Sequence, residues 1–295
     1  MASQPRSLVG QVIAITGGAR GIGRATATTL VREGAKVAIG DLDHSAAEQT
    51  ASEIGGGTIG LPLDVTDRGS FEAFLDAVEA KLGPVDVLIN NAGIMLLGDF
   101  FEEESELARR QIEINLWGVW IGSQLAGRRF RRRGRGHLVN VASMAGKSGF
   151  PGAATYCATK HAVVGLSESI RGELKDSGVE ISCVMPSIVN TELASGLGEA
   201  RFVKNVDPQD VANEITSALK EPRFDVFVPR SNGPLTKAMA ILPRSAVDAT
   251  TRLFKADKVL VEVDDRARLA YQERATQRLT GSSNAPGIGS GDDQS

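Results

Sequence analysis

A chain of 295 residues can bury a sizeable core in one large domain or two small ones, and its 42% hydrophobic and 23% charged residues are those of an ordinary water-compatible globular protein. The net charge of −3 gives no overall field that would draw nucleic acid or an anionic membrane. Cys157 and Cys183 make no disulfide framework and fit a reducing compartment, and His44, His137 and His161 lie too far apart for metal-ligand spacing.

Met1–Gly10 lacks the apolar run of a signal peptide, and no apolar stretch reaches the roughly 18 residues of a membrane span. The expected location is therefore the cytoplasm, with peripheral membrane contact left open.

Short β-branched runs alternate with longer helical patterns. Val12–Ile15 reads as a buried strand, followed by a glycine-rich turn and a helix over Arg24–Glu33. Lys36–Gly40 is a second strand, Ala46–Ile54 a helix and Thr58–Leu63 a third strand. Phe71–Leu82 has helical spacing and stops at Gly83-Pro84. Val85–Asn90 is a fourth strand, Glu102–Arg133 one long helical stretch and His137–Val141 a fifth strand. A helix over about Thr155–Lys175 precedes strand six, Glu180–Met185; a helix near Pro208–Leu219 precedes strand seven, Asp225–Val228. This alternation predicts a doubly wound α/β fold, a mostly parallel seven-stranded sheet with helices on both faces. Such sheets bind ligands beyond the carboxyl ends of their strands, so motifs there carry the most weight.

The organisation predicted is a catalytic domain over residues 1–234, a helical extension over 235–280 and a disordered Gly/Ser/Asp-rich tail over 281–295. Within the extension, Leu235–Leu242 is apolar and Thr251–Arg278 helical and heavily charged. Its apolar spots, Ile241-Leu242 and Val259-Leu260-Val261, would cover a pocket, a partner subunit or a membrane surface.

The first strand runs into Thr16-Gly17-Gly18-Ala19-Arg20-Gly21-Ile22-Gly23. Glycine permits the tight turn and the close approach of a phosphate, and the following helix offers free N–H groups and the positive end of its dipole to a pyrophosphate. The spacing is Gly17-x3-Gly21-x-Gly23, not the more common G-x-G-x-x-G. Asp41 follows strand two, eighteen residues after Gly23, where a carboxylate accepts from the adenosine ribose hydroxyls. It would repel a 2′-phosphate by roughly 4 kcal/mol at ~4 Å and an effective dielectric of ~20, which favours NAD over NADP. Arg20 argues the other way, since a guanidinium holds phosphate. Asp43 is a candidate helix cap.

Tyr156 and Lys160 stand at i and i+4, on one face of a helix. An ammonium stabilises phenolate, and an oxidised nicotinamide would add a second positive charge, so the phenol would act as a base near neutral pH. Ser143 follows strand five, where its hydroxyl would donate to a substrate oxygen.

With these residues in place the sequence resembles the short-chain dehydrogenase/reductase family. The matching features are the Thr16–Gly23 turn, Asn90-Asn91-Ala92-Gly93, Asn115, Ser143 and Tyr156-x3-Lys160, in order from about Leu8 to Pro229. The resemblance implies a Rossmann-type fold and the reversible oxidation of a secondary alcohol with NAD(H); the apolar spots of the extension, if they cover the pocket, point to an apolar substrate. Tyr156 would move the proton, Lys160 would lower its pKa and hold the nicotinamide ribose, and Ser143 would position the substrate oxygen. Asn115 would hold a water linked to Lys160. Gly17, Ala19, Arg20, Gly21, Ile22, Gly23 and Asp41 would bind the cofactor. So would Asp64-Val65 at the adenine, Asn91-Ala92-Gly93 on the adenosine side, and Pro186, Val189 and Thr191 beside the nicotinamide amide. Ser187 departs from the family's usual Pro-Gly at Pro186-Ser187. A substrate lid is expected near residues 190–205, hinged by Gly196 and Gly198, and a homodimer or homotetramer is expected.

Two other readings remain in the sequence. One is a regulator that binds the cofactor without turnover, against which the complete Asn115-Ser143-Tyr156-Lys160 set argues. The other is nucleic-acid binding by the run from Arg128 to Arg135, which reads better as the solvated carboxyl end of a long helix. Trp117 and Trp120 share a helical face and read as core or subunit interface; Cys157 and His161 read as packing.

Overall fold

The computed structural model describes residues 5–197 and 205–243, together with Ser245, Arg268 and Tyr271. Seven strands form one sheet: β1 (Val12–Thr16), β2 (Lys36–Asp41), β3 (Ile59–Pro62), β4 (Val87–Asn90), β5 (Gly136–Val141), β6 (Val179–Pro186) and β7 (Asp225–Val228). Their order is β3-β2-β1-β4-β5-β6-β7, and every pairing is parallel, so the expected mostly parallel sheet is wholly parallel among these strands. The order reverses between β1 and β4, where a crevice opens at the carboxyl edge of a doubly wound, Rossmann-type sheet.

Alternation of side chains along the strands builds two cores. Ile13 and Ile15 of β1 point to one face and Val12 and Ala14 to the other. The first face packs on α1 (Gly21–Arg32), α2 (His44–Ile54) and α7 (Pro208–Lys220), through Leu30, Ala47 and Ile215. The second packs on α3 (Arg68–Leu82) and on α5 (Gly118–Arg133), through Phe71, Phe74, Ile121 and Phe130. Both faces being covered explains why the strands read as continuous apolar runs.

The long stretch expected from Glu102 to Arg133 is not one regular helix. A short 3₁₀ turn, Phe100–Glu102, precedes α4 (Ser105–Ile112), and a π-helical turn, Glu113–Trp117, joins α4 to α5. Periodicity alone does not show a π turn, because the inserted residue leaves apolar residues on both sides of it in helical spacing. α6 (Ala154–Glu173) then carries the Tyr-x3-Lys pair, and α8 (Asn232–Ala240) follows β7.

The expected helix over Thr251–Arg278 lies outside the described residues, except that Arg268 and Tyr271 have helical backbone. The 281–295 tail and the 198–204 part of the expected lid also lie outside them. No helix among the described residues is long and apolar enough to cross a membrane.

Candidate active site

Six motif residues end or follow a strand at the carboxyl edge of the sheet. Thr16 ends β1, Asp41 ends β2, Asp64 follows β3, Asn90 ends β4, Ser143 follows β5 and Pro186 ends β6.

The glycine turn is held from below by the residues after β4. The Thr16 hydroxyl accepts from the backbone N–H of Asn91 and of Ala92, each at 3.0 Å. The Asn91 amide donates to Thr16 O at 2.9 Å and Gly17 O at 3.0 Å. Gly17 and Gly21 have φ of 63° and 51°. A β-carbon at Gly17 would lie 2.8 Å from Ala92 Cα, and one at Gly23 would meet Gly17 O and stand 2.8 Å from Asn91 Nδ2. The turn therefore excludes side chains where it crosses Asn91-Ala92. Ala19 is buried and Ile22 packs on the core. At the start of α1, Arg20 makes no side-chain cap and the first turn holds no acidic residue. The first N–H groups of a 12-residue helix thus face the crevice with their dipole uncompensated, a cradle that suits a pyrophosphate.

Asp41 closes the second side of this cradle. Its Oδ2 accepts from Ala19 N and its Oδ1 from Asp43 N, both at 3.2 Å. Burial raises its pKa, and the two backbone donors pull it back down. Arg20 pairs with Asp43 at 3.1 Å, so its charge is already answered. Asp43 also caps α2, accepting from Ala46 N at 3.1 Å, as expected of a helix cap.

Asp64 accepts from Thr66 N at 3.0 Å and Thr66 Oγ1 at 2.7 Å. Val65 is buried against Gly118, where a β-carbon would stand 2.9 Å from Val65 Cγ2. Thr191 reaches the glycine turn: a β-carbon at Gly21 would lie 3.2 Å from Thr191 Cγ2. Val189 bridges to Val206, and Thr191 N donates to Val189 O at 2.7 Å. The loop after β6 therefore runs from Pro186 across to the start of α1. Ser187 donates its N–H to Val228 O at 2.8 Å, while its hydroxyl is buried without a hydrogen-bond partner.

Tyr156 and Lys160 are buried on α6. Lys160 Nζ donates to Val141 O at 3.0 Å and stands 5.7 Å from the Tyr156 ring centroid. Ser143 accepts from Ala145 N at 3.1 Å, which fixes its rotamer, and its hydroxyl acts on the Tyr156 phenol. Burial drives the Tyr156 phenol above its ordinary value, and the Ser143 hydrogen bond opposes this. Burial also pushes the Lys160 ammonium down, to about 8. Cys157 is buried and its thiol pKa is raised by burial, while His161 Nδ1 is 2.8 Å from Cys157 O.

Asn115 sits in the π turn with its side chain committed to backbone. Its Oδ1 accepts from Ile94 N and its Nδ2 donates to Ile94 O, each at 2.8 Å, and also to Thr159 Oγ1 at 3.2 Å. A β-carbon at Gly93 would be 3.2 Å from Asn115 Oδ1 and 3.6 Å from Lys160 Nζ, so the two side chains approach each other there.

Sequence reasoning missed several supporting residues. Thr159 donates to Tyr156 O at 2.7 Å and so links Asn115 to the tyrosine's helix. Beneath the site, Asn90 Nδ2 donates to Asn140 Oδ1 at 2.9 Å, and Asn140 Nδ2 to Ser167 Oγ at 3.0 Å, a buried polar ladder from β4 through β5 to α6. Asparagine in an apolar strand run was the available signal, since buried amides demand partners. Arg268 and Tyr271 reach the segment after β4, and nothing in their charged surroundings marks them.

The arginine run is partly absorbed by the fold. Arg129 bridges Asp76 at 2.6 Å and Glu79 at 2.7 Å, and Arg133 donates to Val85 O. Trp117 and Trp120 stack with centroids 4.7 Å apart, and Trp117 is exposed. Among the described residues no cluster of His, Cys, Asp and Glu would hold a metal.

A parallel sheet with an open glycine cradle, and Ser143 beside the buried Tyr156 and Lys160, define the class of protein, and comparison with known proteins agrees. A sequence model of the family described as short chain dehydrogenase matches residues 11–201. The chain belongs to the short-chain dehydrogenase/reductase family, a family of oxidoreductases.

It is 34% identical over 244 residues to "Probable oxidoreductase EphD" of Mycobacterium tuberculosis, covering 75% of this chain but 41% of that protein's length. It is 39% identical over 196 residues to sorbitol dehydrogenase of Cereibacter sphaeroides, covering 66% of this chain and 76% of that one. Among solved structures, a short-chain dehydrogenase/reductase from Burkholderia phymatum in complex with NAD superimposes with a TM-score of 0.73 at 26% identity. That match covers 79% of this chain and 93% of the other.

Proposed function

We propose that the protein interconverts an apolar secondary alcohol and its carbonyl compound with NAD(H). The observation that carries this reading is the convergence of Ser143, Tyr156 and Lys160 beside the glycine cradle. The cradle fits a dinucleotide: the uncapped start of α1 would take the pyrophosphate, Asp41 the adenosine ribose and Thr191 the nicotinamide end. The nicotinamide, when bound, accepts or returns hydride and brings a positive charge in its oxidised form.

The protein's own residues handle the proton. The Ser143 hydroxyl holds the substrate oxygen against the Tyr156 hydroxyl, and Tyr156 takes the proton as the alcohol is oxidised or returns it on reduction. Burial alone makes Tyr156 a poor base at neutral pH, so its activity requires cations nearby. Lys160 supplies one, 5.7 Å from the ring, and its lowered pKa of about 8 leaves it mostly protonated near neutrality and able to pass a proton onward. The Asn115 amide fixes Ile94 and Thr159, so it acts by positioning the Lys160 surroundings.

The preference for NAD over NADP rests on Asp41, which would meet the adenosine ribose, while Asp43 answers Arg20. The substrate wall is apolar: Met95, Leu97, Phe150, Ile188 and Leu193 cluster with Tyr156. The experiment is to follow reduced-nicotinamide absorbance with NAD⁺ and NADP⁺ separately across short alcohols, polyols, long-chain alcohols and hydroxysteroids. Turnover of apolar secondary alcohols with NAD⁺ supports the reading; silence across the panel with tight NADH binding favours a regulator without turnover.

A further inference from the structure

Met95 lies in the segment after β4, and both of its backbone polar groups are taken by residues far downstream. Its N–H donates to Tyr271 Oη at 2.8 Å, and its carbonyl accepts from Arg268 Nη2. Arg268 Nη1 donates to Leu193 O at 3.3 Å and to Ser195 O at 3.1 Å, in the turn after β6. One guanidinium thus ties together two loops that arise on different strands. Both loops join the apolar cluster around Tyr156, since Met95 belongs to it and Leu193 packs against it. Arg268 and Tyr271 are three apart on helical backbone and so share a face, with the guanidinium carbon 5.3 Å from the Tyr271 ring centroid.

The burial of Arg268 is hard to explain by stability alone. Only 1% of it is exposed, it donates to the backbone carbonyls of Met95, Leu193 and Ser195, and its Nε is buried without a hydrogen-bond partner. A buried cation with an unanswered donor is a costly way to hold a loop, and the two large cores lie elsewhere. The planar fork does what no apolar residue or lysine would do, which is to span carbonyls on two loops in fixed directions.

We propose that Arg268 and Tyr271 are substrate-positioning residues, which shape the alcohol site by fixing the Met95 loop and the Leu193–Ser195 turn beside Tyr156. The proposal rests on the alcohol/carbonyl reading above. It assigns Arg268 and Tyr271 a share in substrate selection, since the loops they hold carry Met95 and Leu193 of the cluster around Tyr156.

The test uses the full chain with Arg268→Ala, Arg268→Lys and Tyr271→Phe. The expected result is a loss in kcat/KM for the alcohol of roughly tenfold or more in Arg268→Ala and Arg268→Lys, mainly through KM. NADH affinity by fluorescence stays within about twofold, and added guanidinium at a sub-denaturing concentration restores part of the Arg268→Ala loss. Parallel loss of NADH affinity, thermal stability and kcat without rescue would mean a purely structural residue and overturn the proposal, as would unchanged kcat/KM.

Hydrogen exchange separates this from failure of the reaction reading. The Met95 amide is protected in the wild type and exchanges faster in Tyr271→Phe, whether or not a substrate is found. A protected Met95 with no turnover sinks the reaction; an unprotected Met95 in the wild type sinks the positioning role.

Discussion

Replacing Asp41 by Asn separates the charge of the cradle from its shape. The Asp41 carboxylate is partly buried and accepts from two backbone N–H groups, Ala19 and Asp43. Asparagine keeps one acceptor and turns an NH₂ toward the other donor, which costs about 1 kcal/mol of hydrogen bonding and lowers the affinity for either cofactor alike. The charge acts only on their difference. A carboxylate and a 2′-phosphate at ~4 Å would repel by roughly 4 kcal/mol at an effective dielectric of ~20. Solvent and salt at the half-open edge reduce this to about 1–2 kcal/mol, a factor of roughly 5–30 in the ratio of affinities.

Asp41→Asn should therefore cut the preference for NADH over NADPH by that factor, read as the ratio of dissociation constants from fluorescence titration. Asp43→Asn in the same chain frees Arg20 from its 3.1 Å pair and should move the ratio further the same way. A ratio within about twofold of wild type in both variants would refute the argument that this edge selects the cofactor by charge.

The cradle's packing and the core's acid sensitivity give two further outcomes. Gly23→Ala sets a β-carbon against Gly17 O and Asn91 Nδ2, so it should lose about 1–3 kcal/mol of stability and abolish NADH binding; thermal unfolding and titration check both. His137 is buried with Nε2 2.9 Å from Ser182 Oγ, and burial, with help from the Arg6 charge, lowers its pKa to about 3. The folded state therefore binds fewer protons than the unfolded one between pH 6.5 and 3. The contribution of His137 is complete above pH 6.5 and is lost as pH falls, by up to about 1.4 kcal/mol per pH unit. His137→Gln should flatten that part of the acid-unfolding curve measured by urea titration, and an unchanged slope would contradict it.

Much of the fold was legible because both faces of the sheet are covered. Two-sided burial forces strands such as Val12–Ile15 and Val87–Asn90 into unbroken apolar runs, and glycine or proline marks their ends. The π turn at Glu113–Trp117 was not legible, since it preserves helical spacing on either side while turning Asn115 onto Ile94. The edge motifs were legible because backbone geometry there admits few residues, as at Gly17 and Gly23. Thr16, Thr159, Asn140 and Arg268 act through partners 75, 44, 50 and 173 positions away, respectively, and sequence spacing carries no trace of such pairings. The sequence reading gave Lys160 and an oxidised nicotinamide together the task of lowering the Tyr156 pKa. Without a cofactor, burial raises the phenol and lowers the ammonium.

The most direct test of the account is Tyr156→Phe, assayed with NAD⁺ and the best alcohol of the panel, alongside NADH binding by fluorescence. The side chain is buried and loses only its hydroxyl, so the fold and the cradle should remain. The account predicts a loss in kcat of roughly 10²–10⁴ with NADH affinity within about twofold of wild type. Turnover near the wild-type rate in this variant would contradict it, because the account assigns the proton transfer to the Tyr156 hydroxyl alone.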